Sequence, residues 1–239
     1  MRFHFSTANQ IFFGPGTVKQ IAPLAVERGS RPLVLTGGSP ERASTLMDAL
    51  TAEGMEITRY PVTAEPTVDT ALAAVRNARR AECDLVIGIG GGSVIDTGKV
   101  VAALITNSGR LADYLEVIGE ARPLVHPSAP YIAIPTTAGT GSEVTRNAVL
   151  GSPQHRVKVS MRSPFMLPAL AVIDPDLTLS LPSAITAVTG LDAFTQLMEA
   201  FVSNQSNALT DGICREGLQR VAHSLQRAYE NGSDRSARE

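Results

Sequence analysis

Short runs of strand length recur at residues 32–36 (PLVLT), 55–60, 84–89 (DLVIGI), 131–135 (YIAIP) and 170–174 (LAVID), with stretches of helical pattern between the earlier ones. Continuous apolar runs separated by helices are the mark of a parallel sheet covered on both faces. The expected fold is therefore α/β, a doubly wound parallel-type layer. Local signals place the helices. Pro40, just after Ser39, suits a first helical turn, where its missing N–H costs nothing, and the helix runs to about residue 53. Thr67 reads as the cap of a helix over 67–81, with Asp69 in its first turn.

After Pro182 the pattern changes. Residues 183–202 and 207–229 read as helices with no strand between them, the first with apolar positions at Ile185, Val188, Leu191, Ala193, Leu197 and Phe201. The break at 175–182 (DPDLTLSLP) divides the chain into an α/β domain, 1–178, and the start of an all-helical domain, 179–239. The ending NGSDRSARE is polar and expected to be mobile. Two helices make a poor independent core, so their apolar faces need cover. Self-association into a homo-oligomer, or poor stability, would follow.

Charge excludes some functions. There are 21 Lys and Arg against 23 Asp and Glu, a near-neutral balance that argues against a nucleic-acid or anionic-membrane binder, which would show a basic patch. The two cysteines, Cys83 and Cys214, lie far apart without CxxC spacing, which speaks against a disulfide framework or a zinc knuckle. The opening MRFHFSTANQ lacks the apolar core of a signal peptide, and no run approaches the ~18 apolar residues of a membrane span. A cytoplasmic, soluble protein is expected.

The sharpest local signal is Gly88-Ile-Gly90-Gly91-Gly92-Ser93, between an expected strand and an expected helix. Glycine there tolerates positive φ in a tight turn and lets backbone N–H groups approach an anion with no Cβ in the way. The helix N-terminus adds partial positive charge, so a pyrophosphate is the expected guest. A purely structural glycine turn is the competing reading. The strict G-x-G-x-x-G spacing is not met, because its sixth position is Ser93, and the loop follows a strand deep in the domain. A second small-residue loop, Thr136-Thr137-Ala138-Gly139-Thr140-Gly141-Ser142-Glu143, follows the YIAIP strand. Two such loops at carboxyl ends of strands are where an open α/β sheet binds ligands.

Five segments together carry a family resemblance: Phe13-Gly14-Pro15-Gly16, Gly90 to Lys99 (GGGSVIDTGK), Pro135 to Glu143 (PTTAGTGSE), Asp174 to Thr178 (DPDLT) and Thr189 to Phe194 (TGLDAF). In that order, and over essentially the whole chain, they resemble the iron-containing (group III) alcohol dehydrogenases of the dehydroquinate-synthase-like superfamily. The resemblance implies a dinucleotide-binding domain followed by an all-helical domain, with substrate and a divalent metal between. It implies that Gly90, Gly91, Gly92 and Ser93 hold the pyrophosphate and that Thr136, Thr137 and Thr140 contact the cofactor. It implies that Lys158 lies near the nicotinamide ribose. The implied activity is NAD(P)-dependent alcohol dehydrogenase or aldehyde reductase chemistry on a small alcohol or aldehyde.

Two departures modify this. NAD-preferring members often place Asp just after the adenosine-side strand, but here the stretch is Thr36-Gly37-Gly38-Ser39. Gly37 leaves room for a 2′-phosphate and Ser39 can donate to it, so NADPH is expected to be tolerated as well as NADH. The metal motif of the resemblance, Asp and His at i and i+4, appears as Asp192 and Gln196. Imidazole and carboxylate suit Fe²⁺ or Zn²⁺, whereas an amide oxygen is a weak neutral donor. Glu199 stands three residues further, as a supporting partner or an exposed or capping residue. His4, His126, His155 and His223 sit in no ligand spacing. No residue is assigned as a catalytic base. The ending resembles the middle of the family's helical domain, so a C-terminally shortened chain is expected. Two alternatives remain: a metal-free enzyme like the maleylacetate reductases, and a non-catalytic nucleotide-binding module.

Overall fold

The protein is described here by a computed structural model, which covers residues 2–239. Two compact units emerge from its contacts: residues 7–135 with 142–174, and residues 2–6 with 136–141 and 175–239.

The first unit is built on a parallel six-stranded sheet. In chain order its strands are β1 (Ile11–Phe13), β2 (Pro32–Thr36), β3 (Thr58–Pro61), β4 (Leu85–Gly90), β5 (Tyr131–Pro135) and, after the hairpin strands β6 (Asn147–Ser152) and β7 (Val157–Arg162), β8 (Leu170–Ile173). The sheet order is β1-β8-β5-β4-β2-β3, and every pairing in it is parallel. Helices α1 (Ile21–Val26), α2 (Ser44–Ala52), α3 (Val68–Arg80), α4 (Gly92–Thr106) and the single turn α5 (Leu111–Tyr114) connect the strands. All residues of β2, β4 and β5 are buried. Strands covered on both faces require apolar side chains at every position rather than at alternate ones. The α/β expectation therefore holds.

Local signals acted largely as expected. Thr67 caps α3 by accepting from the Thr70 N–H at 3.1 Å. The stretch from Pro40 begins as a 3₁₀ turn, Pro40–Ala43, before α2. The third strand starts at Thr58, later than the sequence pattern suggests. β1 and the antiparallel β6–β7 pair were not expected. Leu150 pairs with Val159 in that hairpin, and Arg156 in its turn takes a left-handed φ of 54°.

The motif at Gly14 and Gly16 has a local explanation. Both glycines have positive φ, 140° and 76°. The Asp174 carboxylate, immediately after β8, accepts from the Gly16 and Val18 N–H groups at 3.0 and 3.1 Å. Two of the sequence motifs, far apart in the chain, are thus one clamp joining the ends of neighbouring strands.

The second unit holds α6 (Ser183–Phe201), α7 (Ala208–Glu230) and the short α8 (Arg235–Arg238). Small residues let α6 and α7 approach: a Cβ on Gly190 would stand 2.2 Å from Leu225 Cδ1, and one on Gly217 2.8 Å from Leu197 Cδ1. The ending expected to be mobile is instead folded as α8. The reason is capping and charge: Asp234 accepts from the Ala237 N–H at 3.0 Å and pairs with Arg227 at 2.7 Å. Arg235 pairs with Asp176, and Arg238 donates to Thr186 Oγ1 at 2.8 Å.

Candidate functional site

The topology of the sheet selects one place for a ligand. From β2 the chain proceeds outward to β3, whereas from β4 it proceeds the other way to β5, and β2 and β4 are neighbours. The winding reverses between them, and the carboxyl ends at such a reversal are where open α/β sheets bind ligands. Thr36 pairs with Ile89 in register, so the segment Gly37-Gly38-Ser39 and the segment Gly90 to Ser93 leave the sheet side by side.

At β4 the glycines act through their lack of a side chain. A Cβ on Gly90 would sit 2.4 Å from Val94 Cγ2, so only glycine lets the strand turn directly into α4. Gly88 has a different task. A Cβ there would meet Tyr131 Oη at 2.4 Å, and one on Gly98 would meet it at 2.5 Å, so the pair makes the slot for the Tyr131 ring. Tyr131 Oη donates to the Ile95 carbonyl at 3.0 Å. The positive-φ glycines among the described residues are Gly14, Gly16, Gly54, Gly109 and Gly141, so the turn at 88–92 uses no left-handed glycine. Gly91 is the N-cap of α4, in extended conformation and without a side-chain cap. The Val94 N–H already donates to the Gly91 carbonyl at 3.0 Å, so within the first turn it is the Gly92 and Ser93 N–H groups that stand at the positive end of the helix dipole. Gly90 to Ser93 therefore fit a pyrophosphate.

At β2 a Cβ on Gly38 would meet nothing within 4 Å, and one on Gly37 would reach ordinary contact with Val94 at 3.8 Å. Ser39 is followed by Glu41 and Arg42 in the 3₁₀ turn. No carboxylate occupies residues 36–39.

Beneath the glycine turn lies a buried polar cluster that sequence reasoning missed. Lys99, on α4, is 0% exposed. Its ammonium donates to Ser142 Oγ at 2.9 Å, Thr145 Oγ1 at 2.8 Å and the Asn147 carbonyl at 2.7 Å, with Asp96 Oδ1 at 3.5 Å. Asp96 in turn accepts from the Ser142 hydroxyl and, at 3.0 Å, from the Val149 N–H. Burial lowers the Lys99 pKa to about 8, against the opposing pull of Asp96 and Glu143. Burial also raises the Glu143 carboxyl above the usual range, with Lys99 opposing. Lys158 stands on β7, exposed, and pairs with the carboxylate of Glu65.

The remaining expected residues belong to the helical unit. Thr136 is buried, while Thr137 is half-buried and Thr140 exposed. A Cβ on Gly139 would be 2.7 Å from the Thr189 carbonyl oxygen, which explains glycine at that point of the loop. Gln196 donates from Nε2 to the Gly139 carbonyl at 3.2 Å. Asp192 is exposed, one turn earlier on α6, and Glu199 is exposed as well. Among the described residues no group of three or more His, Cys, Asp or Glu side chains is placed to hold a metal ion. His223 contacts the Gln219 carbonyl of its own helix at 2.6 Å, and His155 contacts Ser152 Oγ at 2.8 Å. Asp192 and Gln196 supply one exposed carboxylate and one neutral amide oxygen, fewer and weaker donors than a divalent transition metal takes. A cavity of about 210 Å³ in this unit is lined by Thr189, Gly190, Ala193, Leu225 and Arg238, without Asp192 or Gln196.

Residues 8–175 match the family described as iron-containing alcohol dehydrogenase, and residues 186–239 match the C-terminal part of the Fe-containing alcohol dehydrogenase family. A long-chain-alcohol dehydrogenase of Geobacillus thermodenitrificans is 37% identical over 230 residues, 94% of this chain and 58% of that protein. A 4-hydroxybutyrate dehydrogenase of Cupriavidus necator is 39% identical over 87% of this chain and 55% of its own length. The crystal structure of a sulfoacetaldehyde reductase from Bifidobacterium kashiwanohense in complex with NAD⁺ superposes with a TM-score of 0.91 at 28% identity, covering 100% of this chain and 63% of that one. The chain thus spans about three fifths of the length of these relatives.

Proposed function

The chain belongs to the iron-containing alcohol dehydrogenase family, and we propose on that premise that it serves NAD(P)-dependent oxidoreduction of CH–OH groups by binding the dinucleotide at the ends of β2 and β4. The winding reversal between those strands, with a glycine turn opening α4, is the observation that carries this reading. In it, Gly90 to Ser93 take the pyrophosphate through backbone N–H groups. Gly37 and Ser39 face the adenosine ribose, and Lys158 lies toward the nicotinamide ribose. Thr136, Thr137 and Thr140 are kept as cofactor contacts on the strength of their motif. A bound nicotinamide would supply or accept the hydride, and the chain's task is to hold and orient it. The substrate class is a small alcohol or aldehyde, and the place of action the cytoplasm. The division into an α/β domain to 178 and a helical domain from 179 is part of the same reading.

NADH and NADPH titrations test it. The chain has no tryptophan, so the fluorescence of the reduced dinucleotide reports binding without protein background of that kind. Saturable binding of both supports the proposal, while a tenfold or greater preference for NADH would overturn the 2′-phosphate reading (about 1.4 kcal/mol). The second reading, a nucleotide-binding module without turnover, draws on Gln196, a weak neutral donor whose amide nitrogen is tied to the Gly139 carbonyl, at the position where the resemblance implies a histidine. Binding without oxidation of short alcohols or reduction of aldehydes, in the presence of added Fe²⁺ or Zn²⁺, would select it.

A further inference from the structure

We propose that Lys99, together with Asp96, is a positioning residue for dinucleotide binding, because its buried ammonium ties the helix that opens at the glycine turn to the hairpin that carries Lys158. The inference rests on the dinucleotide reading above. Three elements converge on one nitrogen. Lys99 belongs to α4, whose first turn is Gly92 and Ser93. Ser142 and Thr145 belong to the turn before the hairpin, and Asn147 is the first residue of β6. Asp96 adds a fourth tie by accepting from the Val149 N–H of β6. β6 then transmits the placement: Gly151 pairs in register with Lys158 of β7, and the Gly151 N–H donates to the Pro66 carbonyl at 2.8 Å, next to Glu65, the partner of Lys158. The cluster thus sets the separation between the proposed pyrophosphate and nicotinamide-ribose contacts.

An ammonium has three protons for three short acceptors, whereas a neutral amine has two and a lone pair. Deprotonation must therefore either release one of Ser142, Thr145 and Asn147 or turn a hydroxyl toward the amine, which takes Ser142 from Asp96 or Thr145 from the Ser142 carbonyl. The ionisable groups around Lys99 are Asp96 on the same helix, Glu143 on the following turn and Tyr131 on β5. The two carboxyls stabilise the ammonium, and desolvation opposes it. The consequences for binding and for stability have opposite signs. With a folded pKa of about 8 against 10.5 for the free side chain, the unfolded chain holds more protons between those values, so this group makes the fold more stable as pH rises through them. Dinucleotide affinity should fall over the same interval.

The test is an NADH titration of the full chain, run across that interval, with Lys99→Met, Lys99→Arg and Asp96→Asn beside the wild type. NADH is chosen because it has no 2′-phosphate to titrate. The wild type should weaken about tenfold on passing above pH 8, whereas Lys99→Met should bind weakly at every pH. Lys99→Arg, whose guanidinium stays charged, should lose the alkaline fall. Asp96→Asn should move the fall to lower pH, since Asp96 helps keep the ammonium protonated. Amide hydrogen exchange without cofactor gives an independent readout: Val149 and the β6–β7 ladder should lose protection in Lys99→Met while β4 and β5 keep theirs. Failure of the wild type to bind NADH overturns the dinucleotide reading and this inference with it. Equal NADH affinity in wild type and Lys99→Met, or unchanged hairpin exchange, overturns the inference alone.

Discussion

The two units of this chain use apolar side chains in opposite ways. In the sheet unit Leu33, Leu35, Leu85, Ile87, Ile132 and Leu170 are fully buried. On α6, of similar apolar character, Val188 is 67% exposed and Leu191 57%, and Thr186 is its one buried residue among those described. A central parallel strand has neighbours on both edges and helices on both faces. A pair of helices buries only the stripe where they meet. The contrast teaches where stability resides: the sheet unit holds its turns between strands and helices buried on both sides, while α6 carries Asp192 and Gln196 on a largely exposed surface.

The largest expected effects test the sheet side. Leu33→Ala should cost about 3 kcal/mol in urea unfolding, because the cavity it leaves between sheet and helices cannot collapse. Gly90→Ala is expected to cost about 1–3 kcal/mol, since its Cβ would press on the branched Val94 rather than on the end of a flexible chain, and it should also weaken NADH binding. Asp174→Ala should cost about 1–3 kcal/mol by leaving the Gly16 and Val18 N–H groups without their acceptor. On the helical side the effect should be smaller: Val188→Ala should change unfolding free energy by no more than about 0.5 kcal/mol. A loss of 2 kcal/mol or more there would break the comparison, by showing that α6 is covered. Comparably small, breaking the exposed Glu65–Lys158 pair with Glu65→Gln should alter stability by about 0.2–1 kcal/mol, with any effect on NADH affinity declining as salt is added.

How far the sequence discloses all this depends on the range of the interactions. Runs such as PLVLT and YIAIP are legible because burial on both faces removes every polar position. Thr67 is legible because a cap acts within three residues. The β6–β7 hairpin left a weaker signal, alternation in NAVLGS and VKVSMR around a Pro-Gln-His turn, which a search for continuous apolar runs passes over. The ending misleads for a related reason: its polarity suggests mobility, but the polar groups are the cap and ion pairs that fold α8. Lys99 was the least legible. A lysine in a helix reads as exposed, and its partners lie 43 to 48 positions away. Gly88 was assigned to a phosphate turn when its neighbour is the Tyr131 ring. In the site itself, the two glycine segments could be found from composition, but their adjacency follows only from the sheet order.

The central claim is that the sheet unit carries the dinucleotide site at the reversal between β2 and β4. Backbone amide chemical shifts followed by NMR as NADH is added address it most directly. The account predicts saturable shifts concentrated at residues 37–39 and 91–93, with α7 unaffected. Saturable shifts confined to α6 and α7, or none at millimolar NADH, would contradict it.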